Sequence, residues 1–177
     1  MKPFPDKKYS IIYADPPWKY TSKSVSPNRE VINHYNTMDI EKIKNLPVQD
    51  IAANNCYLFL WATSPNLDIG IEVLTYWGFK FKTVAFTWVK TNKDNSYFMG
   101  LGSYTRSNIE LCLLGVKGKL TRLNFGVRQL VVSNRREHSR KPDEVRNRIV
   151  QLFGDLPRIE LFARQKVEGW DSWGDQI

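Results

Sequence analysis

The chain has 177 residues, 42% hydrophobic and 25% charged, which excludes a disordered segment and suits one domain with a sizeable core. It carries 26 Lys and Arg against 18 Asp and Glu, a net charge of +8, with ten of the bases and three of the acids between Lys117 and Arg148. That bias suits either a nucleic-acid partner or a solvated basic face, and the lack of an apolar leader or membrane-length run predicts a cytoplasmic protein with no membrane partner.

Tyr9 to Ala14 (YSIIYA) reads as a short strand buried on both faces, stopped by Asp15-Pro16-Pro17. Thr37 to Leu46 predicts a short helix, with Thr37 or Asp39 near its start as a cap. Cys56 to Ala62 is a second buried strand. Pro65 to Trp77 is helical, with Leu67, Ile71 and Leu74 on one face and Gly78 ending it. Phe81 to Val89 is a third strand, rich in β-branched and aromatic residues. Ile109 to Leu114 and Gln129 to Val132 are further strands. Pro142 to Phe153 predicts a helix with Pro142 in its first turn, Asp143 and Glu144 at the positive dipole end, and Val145, Ile149 and Leu152 facing inward. Arg158 to Ala163 (RIELFA) is the last strand.

Strands separated by amphipathic helices argue for an open, mainly parallel α/β sheet in one three-layer domain spanning residues 1–177. Two stretches, Lys19 to Asn36 and Lys90 to Thr105, are too long for plain connections and read as lids or binding elements. Cys56 and Cys112 each sit inside an apolar run and read as core thiols. His34 and His138 have no partner at metal-ligand spacing, so no metal is expected. Aromatics make up 13% of the chain, including six Trp; they either enlarge the core or stack on flat ligands such as bases.

Ligands of open α/β sheets bind beyond the carboxyl ends of the strands, where Asp15, Pro16, Pro17 and Trp18 stand after the first strand. One reading of this tetrapeptide is a strand-ending turn with a packed Trp. The other is a site for an exocyclic amine on a flat heterocycle. The Asp15 carboxylate and the Pro16 carbonyl can each accept an N–H bond, localising the nitrogen lone pair, while Trp18 stacks on the ring.

The segments ADPPW, HYNTM (34 to 38), LFLWATSPNL (58 to 67), WGFKFKTVAFTWVKTN (77 to 92), GSYTRSNIELCLLGVKGK (102 to 119), REHSRKPDE (136 to 144) and IELFAR followed by GWDSWGDQ occur in one order. In that order they resemble the N6-adenine methyltransferases of the MT-A-seventy type, across nearly the whole chain. The resemblance implies a Rossmann-like methyltransferase fold and methyl transfer from S-adenosylmethionine to the N6 amine of adenine in DNA, with the same chemistry on RNA, or a silent nucleic-acid-binding partner subunit, as alternatives.

It also implies a permuted order, catalytic strand first and cofactor strand near the end, which accounts for the absence of a G-x-G turn after the first strand. Asp15, Pro16, Pro17 and Trp18 become the catalytic motif. Asp15, Lys141, Arg164, Asp175 and Gln176 become cofactor contacts, with Lys141 pairing the methionine carboxylate. Trp170 and Trp173 either flank the cofactor or pack in the core. Two departures stand out: Gln165-Lys166-Val167 replaces a histidine–asparagine pattern of the mRNA enzyme, and Asp175 replaces its Asn. An acidic adenine contact found farther upstream in that enzyme has no counterpart here, leaving backbone groups around Lys2 to Pro5 for that place.

A target adenine must be flipped or already single-stranded. Lys19, Tyr20 and Lys23, then Tyr104, Arg106 and Asn108, then Arg135, Arg136 and Arg140 are the expected nucleic-acid clamps. The lack of eukaryotic-style extensions fits a bacterial cell or phage-infected host, and a monomer and a homodimer both remain open.

Overall fold

The computed structural model describes residues 2–19, 37–102, 104–136 and 140–177. Its seven strands are β1 (Tyr9–Ala14), β2 (Ala52–Ala62), β3 (Lys80–Thr91), β4 (Ile109–Lys117), β5 (Leu130–Asn134), β6 (Arg158–Leu161) and β7 (Asp171–Trp173). The helices are α1 (Ile40–Lys44), α2 (Val48–Ile51), α3 (Leu67–Tyr76) and α4 (Asp143–Phe153), with a 3-10 turn at Ser64–Asn66. The strands form one sheet in the order β5-β3-β4-β2-β1-β6-β7. Among them, β4 runs antiparallel to both its neighbours and the other pairings are parallel. The expected mainly parallel α/β sheet is therefore present.

Its central strands are apolar without alternation because both faces are covered. Ile12, Ala14, Leu58 and Leu60 pack with Ile43 of α1, Val48 and Ile51 of α2, and Val73 and Leu74 of α3. Ile11, Tyr13, Phe59 and Trp61 face the other way, onto Val145, Ile149 and Phe153 of α4. Cys56 and Cys112 are buried free thiols within these two layers.

Local signals hold where chemistry close in sequence decides. Asp39 caps α1, its side chain accepting the Glu41 N–H at 2.9 Å. Gly78 takes φ +83 after α3, so that its N–H reaches the Thr75 carbonyl and the Phe79 N–H reaches the Leu74 carbonyl, a Schellman ending. The helix expected over 37–46 is shorter, and Pro142 stands just outside α4 at its N-cap rather than within its first turn. β2 begins earlier than expected, because Ala52 pairs with Tyr9 despite the polar Asn54 and Asn55. α2 and β7 escape the sequence reading: one is a single turn, the other three residues that become a strand only against β6.

The chain leaves β1 through α1 and α2 to reach β2, whereas β6 is entered through α4 on the opposite face. β1 lies between β2 and β6, so the connections diverge there and open a crevice at the carboxyl ends of β1 and β6.

Candidate active site

Strand alternation selects which side chains reach this crevice. Ala14 is level with Leu60 of β2 and Leu161 of β6, so Asp15 follows as the next residue at the carboxyl edge. Residues two apart share a face, and Asp15 therefore lies on the α4 side with Tyr13. Cys112 and Trp88 face the same side. Glu110, two residues before Cys112, and Lys90, two after Trp88, accordingly arrive at the same edge from β4 and β3.

These residues form a run of alternating charges. Lys141 Nζ lies 2.8 Å from both Asp15 carboxylate oxygens and 3.1 Å from Glu110 Oε2. Lys90 Nζ donates to the other Glu110 oxygen, and the Trp61 ring sits 5.7 Å from Lys141 Nζ. Such groups stay charged away from water only when each has partners. Burial raises the Asp15 carboxyl above the usual carboxylate range, although Lys141 opposes the shift. Burial also pushes Glu110 upward, but the flanking Lys141 and Lys90 outweigh it and hold this carboxyl below its ordinary range. The Lys141 ammonium loses stability by burial and regains more from its two carboxylates, so it stays protonated. Glu110 and Lys90 were not singled out in the sequence, yet an acid inside the apolar strand IELCLL needs a buried partner. That was the available signal.

The tetrapeptide after β1 is a built turn. The Trp18 N–H donates to the Pro16 carbonyl at 2.9 Å across Pro17, whose ring fixes φ near the value a three-residue turn needs. The Pro17 carbonyl accepts the Met38 N–H. Trp18 is only 7% exposed and its indole N–H donates to the Trp61 carbonyl at 2.9 Å. Its ring thus anchors the turn in the core instead of standing open at the crevice. The Pro16 carbonyl keeps one lone pair for a second donor.

The other wall is the chain beyond β6. Asp15, Arg140, Lys141, Arg146, Glu160, Phe162, Arg164 and Gln165 line a shallow crevice that opens to solvent. Phe162 holds φ +59, a left-handed conformation uncommon outside glycine. Gly174 lies so close that a Cβ there would meet the Ala163 carbonyl at 2.5 Å, and the Trp173 carbonyl accepts the Ala163 N–H. This close approach brings Asp175 and Gln176, both exposed, next to the β6 turn. Beneath it, Arg146 of α4 holds Glu160 with two 2.7 Å bonds. A crevice lined by two carboxylates, four cations and the Phe162 ring has the chemistry to hold a small zwitterionic nucleoside such as S-adenosylmethionine. Trp170 and Trp173 are buried, the first beside Tyr13, the second between Phe4 and Phe162. The Lys2 carbonyl accepts the Trp173 indole N–H, so the amino-terminal residues are fastened to β7.

The expected clamps divide into three groups. Lys19 is exposed, and Tyr20 and Lys23 lie outside the described residues. Tyr104 and Arg106 are exposed, while Asn108 is half-buried with its carbonyl accepting the Lys90 N–H. Arg135 packs 3.8 Å from the Phe98 ring. Arg136, Arg140 and Arg146 all converge on Asp143 in the first turn of α4.

The family model described as MT-A70 matches residues 9–176. The chain belongs to the MT-A70 family. It is 38% identical to the type II methyltransferase M.MunI of a Mycoplasma species over 191 aligned positions, 98% of this chain and 79% of that protein. It is 30% identical to the human N(6)-adenosine-methyltransferase catalytic subunit METTL3 over 175, and 30% to an MT-A70-like N(6)-adenosine-methyltransferase of Arabidopsis thaliana over 174. Both alignments cover 96% of this chain but only 28% and 24% of those longer proteins. Within this methyltransferase fold the D-P-P-W strand β1 precedes β6 in sequence and lies beside it in the sheet. Among the described residues, no helix is long and apolar enough to cross a membrane.

Proposed function

We propose that the chain transfers a methyl group from S-adenosylmethionine to the exocyclic N6 amine of adenine in DNA. The observation that carries this reading is the Asp15–Lys141 pair, set at the carboxyl end of β1 in the mouth of the crevice shared with β6. Lys141, Arg164, Asp175, Gln176 and Asp15 would hold the cofactor, Lys141 taking its carboxylate and Arg164 its ribose region. When bound, the cofactor supplies a methyl carbon made electrophilic by sulfonium, so the new N–C bond forms as the C–S bond breaks toward sulfur.

The chain's own contribution is positioning and charge. Asp15 accepts one amine N–H and the Pro16 carbonyl accepts the other, which draws the nitrogen out of conjugation with the ring. A carboxylate is far too weak a base to deprotonate an aromatic amine, so the proton leaves during or after transfer. Glu110 gives Lys141 a second carboxylate when Asp15 turns to the amine. The Trp18 anchor and the Pro-Pro turn keep Asp15 in place.

DNA is favoured because the relationship to a type II methyltransferase spans most of both chains. RNA remains the second reading, favoured by the relatives named N(6)-adenosine-methyltransferases. A silent subunit is disfavoured by the intact Asp15-Pro16-Pro17-Trp18 and its bond to Lys141. Labelled methyl transfer to unmethylated DNA and to RNA separates these readings. Asp15→Ala is expected to abolish transfer to both DNA and RNA. Turnover by Asp15→Ala would overturn the mechanism, and equal rates on RNA would overturn the DNA preference.

A further inference from the structure

Between β3 and β4 the chain folds back on itself, and its apolar residues point the wrong way for a simple loop. Tyr97, Met99 and Leu101 alternate with Phe98 and Gly100, and the outward members are the large ones, 70%, 72% and 68% exposed. Tyr104, just beyond, is fully exposed. Leaving such side chains in water forgoes the stabilisation that burial would supply, and a contiguous exposed apolar patch marks a contact surface.

The inward side, by contrast, is fastened. The Phe98 N–H donates to the Lys90 carbonyl at 2.9 Å, and Arg135 packs over the Phe98 ring. The Gly100 N–H donates to the Ser107 carbonyl at 2.8 Å, in space that a Cβ at Gly100 would invade. The segment is thus held on its inner face and bare on its outer one. Its base adjoins the site: Lys90 and Asn108 are bonded to each other, Lys90 reaches Glu110, and Glu110 reaches Lys141. Exposed cations, Lys93, Arg106 and Arg135, flank it.

An apolar tip between cations suits the two faces of a duplex, a hydrophobic stack bounded by phosphates. We propose that Tyr97, Met99, Leu101 and Tyr104 form a wedge that enters the base stack of duplex DNA beside the target adenine. The wedge keeps the vacated place open while the adenine occupies the crevice. This inference rests on the methyl-transfer reading above. The energy of unstacking is needed only for a duplex; a single strand presents its adenine already free. A wedge therefore accelerates reaction on duplex DNA alone.

The test compares unmethylated genomic DNA as duplex with the same DNA heat-denatured and snap-cooled, using labelled cofactor and the full chain. M99S/L101S is expected to slow transfer to duplex by about tenfold or more, the scale of a lost unstacking contribution, and to leave the single-strand rate near wild type. The single-strand rate also shows that the variant is folded. Met99→Leu with Leu101→Met, which keeps the apolar bulk, should retain the duplex rate. Equal loss on both forms would overturn the wedge; if sedimentation also showed the wild type to be a dimer and the variant a monomer, the surface would be an interface between copies. Wild type active on duplex but silent on single strands would overturn it too, because opening the stack would then not be what the segment supplies. Wild type inactive on both forms would refute the reading of methyl transfer to DNA itself.

Discussion

At the scale of single residues, the site is a balance of four charges in which Asp15 is the least settled. Burial disfavours its ionised form, and the nearby Glu110 charge adds to that, while Lys141 opposes both. In the proposed transfer Asp15 acts ionised, as an acceptor, so the acid limb of the rate profile should lie above the range of an ordinary aspartate. Glu110→Gln removes one of the charges that raise Asp15 and leaves Lys141 wholly to it. The acid limb of kcat against pH should therefore move to lower pH; a limb that stayed or moved upward would contradict the charge chain. Stability follows with opposite signs. Asp15, raised in the fold, contributes stability that is present below its unfolded pKa and lost as pH rises through its folded value. Glu110, lowered in the fold, contributes stability that is present above its unfolded pKa and lost as pH falls through its folded one. Asp15 and Lys141 were legible in the sequence because each sits in a recognisable stretch. Glu110 was legible only as a misfit, since nothing local says that β4 will lie two strands from β1.

At the scale of elements, α4 and β6 are joined by a buried ion pair as well as by apolar contact. Arg146 and Glu160 are both nearly sealed from water, and the guanidinium also lies 5.6 Å from the Tyr13 ring. Removing one partner strands the other charge. Arg146→Met should destabilise the chain by about 3–5 kcal/mol, read as a fall in the urea midpoint, whereas R146M/E160M should recover much of the loss. A double variant as unstable as the single would show that the pair is not the cause. Both elements were legible in the sequence, α4 from its periodicity and β6 from its apolar run, but RIEL gives no local sign that Glu160 has a buried partner on α4. β6 alone has an exposed look; β7, three residues that pair only in the folded sheet, is what covers it. Ends fixed by capping chemistry, such as Asp39 and Gly78, were legible for the converse reason: their partners are a few residues away.

At the scale of the whole molecule, the basic stretch from Lys117 to Arg148 is partly turned inward. Arg136, Arg140 and Arg146 share Asp143, Arg148 takes Glu144, and Lys141 serves the site. One carboxylate beneath three guanidiniums still leaves local positive charge, but fewer free cations than composition suggests. The sheet also joins what the sequence keeps apart: the D-P-P-W turn and the carboxy-terminal segments face one crevice because β1 and β6 are neighbours. The proposed activity of this crevice is methylation of N6 of adenine in DNA. Its most direct test is to incubate the full chain with S-adenosylmethionine and unmethylated DNA, with RNA in parallel, digest each to nucleosides and identify the products by mass spectrometry. The account predicts N6-methyl-2′-deoxyadenosine from DNA, absent with Asp15→Ala. A methyl group on cytosine or on another adenine nitrogen, or methylation of RNA alone, would contradict it.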